Sequence, residues 1–222
     1  MNGGDWSVLG LTADPVRGEP GEVRTLANAA QQEAQRWEQQ VEALRTIADE
    51  GNSMQMEGDF APRFRQAVQA HPNDATPLAR GRADAGQALL AYASQLEQAK
   101  RASQQALSQG TQAKRSFETA QRAYNQAIAQ MNAMPKVVPY EQLPYYQQQW
   151  NMLRAQAQRA QMAMEQAEAQ WKAAQQRAVQ AGEQAAQQER LAAERVTAAA
   201  SAAAKGGRAN GSGGGGGGGG GQ

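Results

Sequence analysis

Chemistry-bearing side chains are sparse in this chain and do not converge. His71 is the sole histidine and there is no cysteine, which excludes disulfides, thiolate zinc sites and cysteine nucleophiles. A Ser-His-Asp relay would have to use His71. That residue lies beside Pro72 in HPNDATP, with none of the strand-turn-helix setting of a nucleophile elbow, and it reads as a loop or surface histidine. Asp49-Glu50 and Glu57 with Asp59 flank a candidate turn, where carboxylates are ordinary capping or solvated charges rather than a ligand set. The terminal run GSGGGGGGGGGQ lacks a Lys-Ser/Thr pair and follows no strand, so it is no phosphate loop. These residues predict no catalytic group, no metal and no cofactor, and therefore no enzyme.

Composition points to helices packed along narrow seams. Of 222 residues, 41% are hydrophobic but only 5% aromatic, and mean hydropathy is −0.73. Much of the apolar count is alanine, too little bulk for a thick globular core and well suited to long helices. The net charge of +1 is built from interspersed signs, without the basic face of a nucleic-acid binder. MNGGDWSVLGLTADP has neither a basic n-region nor an apolar h-region, so no ordinary signal peptide is expected. No apolar run reaches the length of a spanning helix, and no stable membrane insertion is expected.

Five segments follow from the periodicity. Residues 1–21, rich in Gly, Pro and Asp, form an extended N-terminal arm whose Trp6, Val8, Leu9 and Leu11 can tack it to a helix. From Glu22, Val23, Leu26, Ala30, Ala34 or Trp37, Val41, Leu44 and Ile47 recur at helical steps until Gly51-Asn52. A turn over SMQMEGDF leads to a second helix with Phe60, Phe64 and Val68 on one face. HPNDATP (71–77) is expected to break this helix, with Thr76-Pro77 restarting it as cap and first residue. Together these make 22–133 a helix-turn-helix with a broken second helix. A Pro-rich loop, 134–144, follows, then a long Ala/Gln-rich helix over 145–205 that packs back on 78–133. Lys205 with Gly206-Gly207 closes it, leaving 206–222 as a flexible Gly-rich tail.

The second and third helices both carry a 3-4 seam of coiled-coil type. It runs from Leu78 through Leu96, Ser103, Gly110 and Phe117 to Met131, and again from Leu143 through Trp150, Met164 and Trp171 to Ala185. Folding them back about residue 137 sets Phe117 opposite Ala157, Gly110 opposite Met164 and Ser103 opposite Trp171. Large then meets small at most levels. The arms of such a hairpin would be on the order of 80 Å long at about 1.5 Å per residue. Pairing of each helix with a second copy, in a homodimer, is the rival arrangement. Trp37, Trp150 and Trp171 fall on seam positions and read as core. Trp6 lies in the arm, either as a plug over the first hairpin or as a docking residue.

The overall class is all-α: elongated antiparallel helical hairpins or coiled coil, with a Met-x-Gly turn and a flexible tail. Helix, small-residue turn, helix is also the plan of the Trp-x-Gly family of type VII secretion substrates. Met56-Glu57-Gly58, with Phe64 after it, resembles that family's turn, Met standing where the family has Trp. The stretch DWSVLGLTADPVRGEPGEVRTLA (5–27) resembles the start of the type VII secretion-signal domain of actinobacterial polymorphic toxins. Its pattern falls here on Trp6, Leu9, Gly10, Asp14, Pro15, Gly18 and Pro20, and the resemblance covers about residues 5–130. No tyrosine has Asp or Glu four residues on, so the superfamily's Tyr-x-x-x-Asp/Glu export motif would have to come from a partner.

The resemblance implies a non-enzymatic type VII secretion substrate or delivery module, cytoplasmic before export and secreted without a cleavable signal peptide. Its partner would be the secretion ATPase or a small helical protein, docked through the N-terminal helix-turn-helix, with Trp6, Met56, Gly58, Phe60 and Phe64 as the contact or turn residues. A structural coiled-coil scaffold or adaptor with no export role is the alternative. Such a scaffold has no need of the Trp-x-x-Leu-Gly arm or the Met-x-Gly turn.

Overall fold

A computed structural model of the chain describes residues 4–53 and 60–211, with the side chains of 48, 51–53, 65–74 and 206–211 outside the description. The described residues are all-α. A 3₁₀ turn at Trp6–Leu9 precedes α1 (Pro20–Ser53) and α2 (Phe60–Asn132), and a second 3₁₀ turn at Tyr140–Gln142 leads into α3 (Leu143–Gly211). The expected turn over 54–59, with Met56 and Gly58, lies outside the described residues, as do 212–222 of the Gly-rich tail.

Three expected helix boundaries are corrected, the first being Gly51-Asn52, which lie inside α1 rather than ending it. The break at 71–77 is absent: α2 is continuous from Phe60 to Asn132. Each proline lacks the N–H of a helical bond and costs about 3 kcal/mol in an interior. The buried edge of α2 nevertheless continues on the C-terminal side, where Ala75, Ala79 and Gly81 are all buried. Gly206-Gly207 does not end α3 either, which continues to Gly211. Glycine weakens a helix by about 1 kcal/mol per residue but does not forbid it, and two glycines near the end of a 69-residue helix do not suffice to stop it.

The chain divides into two compact units. The first contains the arm to Arg17 and residues 98–185. Here the C-terminal part of α2 and the N-terminal part of α3 form an antiparallel hairpin within one chain. Ala99, Ala106, Ala113, Ala120 and Ala127 are buried at seven-residue steps on α2, and Ala160, Ala167, Ala174 and Ala181 on α3. The heptad seam is therefore real. Its register is not the one expected. A methyl built on Gly110 would stand 3.6 Å from the Ala174 Cβ, ten residues along α3 from Met164. Phe117 likewise shares a groove with Ala167 and Trp171, not Ala157. Both pairs centre the fold-back near residue 142 rather than 137, at the end of the loop, so each α2 residue meets a partner further along α3 than expected.

The second unit comprises Gly18–Glu97 and the chain from Ala186 on. Ala27, Ala34 and Val41 line the buried edge of α1, again seven residues apart. Leu26, expected on that seam, is 62% exposed, because the face turned inward runs through its neighbour Ala27. Close approach rests on glycine. A Cβ on Gly86 would lie 2.8 Å from Gln31 Cγ and 3.1 Å from the Ala27 carbonyl, and one on Gly81 2.9 Å from the Ala199 carbonyl. Arg24 pairs with Glu97 and Arg82 with Glu33. These partly exposed bridges orient α1 antiparallel to α2 more than they stabilise it, at roughly 0–1 kcal/mol each.

Candidate functional site

The N-terminal arm is a folded element built by local chemistry. The Asp5 carboxylate accepts from Ser7 N at 3.1 Å and caps the 3₁₀ turn. Gly10 closes it at φ 71°, a left-handed backbone that glycine adopts at no steric cost. Three residues per turn put Trp6 and Leu9 on one side, and both are buried against Ala106, Ala174 and Ala178. The α2–α3 seam is thus alanine facing alanine, with the bulk supplied from the arm. A methyl at Gly110 would overlap Leu9 Cδ2, so that glycine is the socket in which Leu9 sits.

Polar contacts fix the arm along its length. Trp171 Nε1 donates to the Val8 carbonyl at 2.7 Å and Gln175 Nε2 to the Leu9 carbonyl at 2.9 Å. Asp14 Oδ1 accepts from Val16 N at 3.0 Å and from the buried Ser103 hydroxyl at 3.1 Å. Pro15 lies so near Gly182 that a Cβ there would come within 2.8 Å of the Pro15 carbonyl. In the second unit, Gly18 takes φ 89° and Pro20 opens α1, the position where a missing N–H costs nothing. Every residue of the Trp6-to-Pro20 pattern therefore has an architectural task.

The proposed contact residues separate. Trp6 is buried in the first unit, its indole packed inside the chain as a plug between arm and hairpin. Phe60 and Phe64 belong to the second unit, with ring centroids 5.7 Å apart on the first turns of α2. Phe60 is 71% exposed, a large apolar ring in water at the N-terminal end of α2, while Phe64 is half-buried and Ala61 between them is buried. Trp37 and Trp171 are half-buried and Trp150 is exposed, so Trp150 is not core as its seam position implied. Sequence reasoning missed the bonds from Trp171 and Gln175 to the arm and that of Ser103 to Asp14. Its available signal was Gly110, an interior helix glycine with no local use.

The chain thus carries a capped N-terminal arm laid on a helical hairpin in its first unit and an aromatic pair at the start of α2 in its second. Over residues 7–205 the chain matches the family "Putative T7SS secretion signal domain", and it belongs to that family of type VII secretion signals. Neither curated proteins nor solved structures yield a match. The chain is accordingly a type VII secretion substrate that engages the secretion machinery. Among the described residues no helix is long and apolar enough to cross a membrane.

Proposed function

We propose that this is a non-enzymatic delivery module of the kind found on actinobacterial polymorphic toxins, recognised through its N-terminal helix-turn-helix. The recognising partner is the secretion ATPase or a small helical protein that supplies the missing export motif. The observation that carries the reading is the pair Phe60 and Phe64, which follow the Met56-x-Gly58 motif in sequence, with Phe60 projecting into water. Two aromatics four residues apart form one anchor stripe for a partner helix. Met56 and Gly58 would shape the turn beside them. Trp6 acts indirectly, by holding the arm in the fold.

The test is secretion of a tagged copy by its own bacterium, with and without the type VII ATPase. Protein in the medium only when the ATPase is intact is expected, with Phe60→Ser and Phe64→Ala each lowering the exported fraction severalfold at unchanged cellular level. Retention in both strains would support the scaffold reading instead. Export indifferent to both substitutions would remove the aromatic pair from the signal.

A further inference from the structure

The hairpin tip of the first unit carries apolar surface that the seam does not use. Val137 and Tyr140 are each 89% exposed, Met152 61% and Tyr145 59%, with Leu143 and Trp150 also in water. Around them Met131, Met134 and Tyr146 line an open groove of about 610 Å³ with Leu143 and Trp150. Exposed apolar side chains concentrated at one end of a hairpin in this way mark a contact.

The distribution says with what. Leu143 and Trp150 are seven residues apart on one side of α3. Tyr145 and Met152, also seven apart, stand about 200° around the helix on the opposite side, and Val137 and Tyr140 extend the set onto the loop. A helix-binding groove or a second copy would read one stripe at i, i+3/i+4 and i+7. Apolar groups on all sides suit a surrounding medium. Glu141 is the sole charged residue between Lys136 and Arg154, so the tip has none of the Lys/Arg clustering that reads anionic lipid. Tyr140, Tyr145, Tyr146 and Trp150 combine an apolar ring with a polar handle, the side chains that favour a bilayer interface. Pro135, Pro139 and Pro144 remove three backbone N–H donors from the segment to be desolvated, and the Gln142 N–H is already bonded to the Pro139 carbonyl at 3.0 Å.

We propose that the α2–α3 hairpin tip, residues 134–152, docks shallowly and reversibly into the interface of an uncharged lipid bilayer. This is a peripheral seat, distinct from the spanning insertion that the chain's helices cannot provide, and it does not depend on the export reading.

The full chain is floated with vesicles of phosphatidylcholine alone. Binding is expected at low and high salt alike, and a triple variant, Val137→Ser with Tyr140→Ser and Tyr145→Ser, should lose at least about tenfold in partitioning. These side chains are exposed, and unchanged helical circular dichroism verifies the fold of the variant. Leu26→Ser, at an exposed apolar residue of α1, should bind as wild type. Lipids brominated near the headgroup end of the acyl chain should quench a fluorescence component that Trp150→Phe removes. No flotation at saturating lipid overturns the proposal. So does binding that requires anionic lipid and disappears in salt, or loss of self-association in the triple variant without any vesicle binding, which would make the tip a protein contact.

Discussion

Substitution of Gly110 by alanine should act opposite to helix propensity, and the sign depends on Leu9. Position 110 is interior to α2, where Gly→Ala ordinarily gains about 1 kcal/mol. The added methyl would overlap Leu9 Cδ2 while standing at ordinary contact distance, 3.6 Å, from Ala174. Leu9 is fully buried, so its end cannot swing aside freely, and overpacking of this sort costs about 1–3 kcal/mol. The net effect of Gly110→Ala is therefore a destabilisation of up to about 2 kcal/mol. At roughly 2–4 °C per kcal/mol for a chain of this size, the melting temperature falls by several degrees at most. Leu9→Ala alone should cost about 2–5 kcal/mol. With Leu9 already truncated, the clash is gone and the new methyl enters the vacated space, so Gly110→Ala should then stabilise by about 1 kcal/mol. The cycle is read by urea and thermal unfolding of the four proteins, with a coupling on the order of 1–3 kcal/mol between residues a hundred positions apart. Gly110→Ala that stabilises both backgrounds equally would refute the socket, and with it the claim that the arm supplies the bulk of the seam.

Two further outcomes follow from the same contacts. Asp14→Ala removes the acceptor for both Val16 N and the buried Ser103 hydroxyl and should cost about 1–3 kcal/mol, with faster proteolysis inside the arm; Asp14→Asn, which keeps a carbonyl oxygen, should lose much less. The Tyr92 phenol has its pKa raised from 10.0, first by burial and then by the Glu189 carboxylate. The folded state thus holds the proton more tightly than the unfolded chain, and this stability is intact below pH 10 and lost as pH rises through the folded pKa. Tyr92→Phe should flatten the alkaline limb of the stability profile, and late appearance of phenolate absorbance in the folded protein checks the direction.

How much was legible in the sequence differs between helix, register and site. Alternating three- and four-residue steps and the proline loop place the helices, because each helix must bury one stripe and the prolines cannot extend it, whereas Gly51-Asn52 lie inside α1 rather than ending it. The start of α1 at Pro20 stands two residues from the expected Glu22. The N-terminal pattern from Trp6 to Pro20 and the Met56-x-Gly58 turn were enough to suggest a type VII secretion signal, since the resemblance is carried by local residues.

Three things only the tertiary structure decided. The first is register: an alanine seam buries a single methyl per layer, about 0.8 kcal/mol per buried carbon, nearly the same at many offsets. Large-to-small matching therefore placed Gly110 opposite Met164 when its neighbours are Ala174 and Leu9. The second is the continuity of α2 through Pro72 and Pro77, which the local sequence reads as a break although the buried edge of α2 runs on through Ala75 and Ala79. The third is which aromatics meet water. Trp6 is inside and Phe60 and Trp150 outside, because exposure is set by what another segment brings alongside, and no spacing within one helix records that.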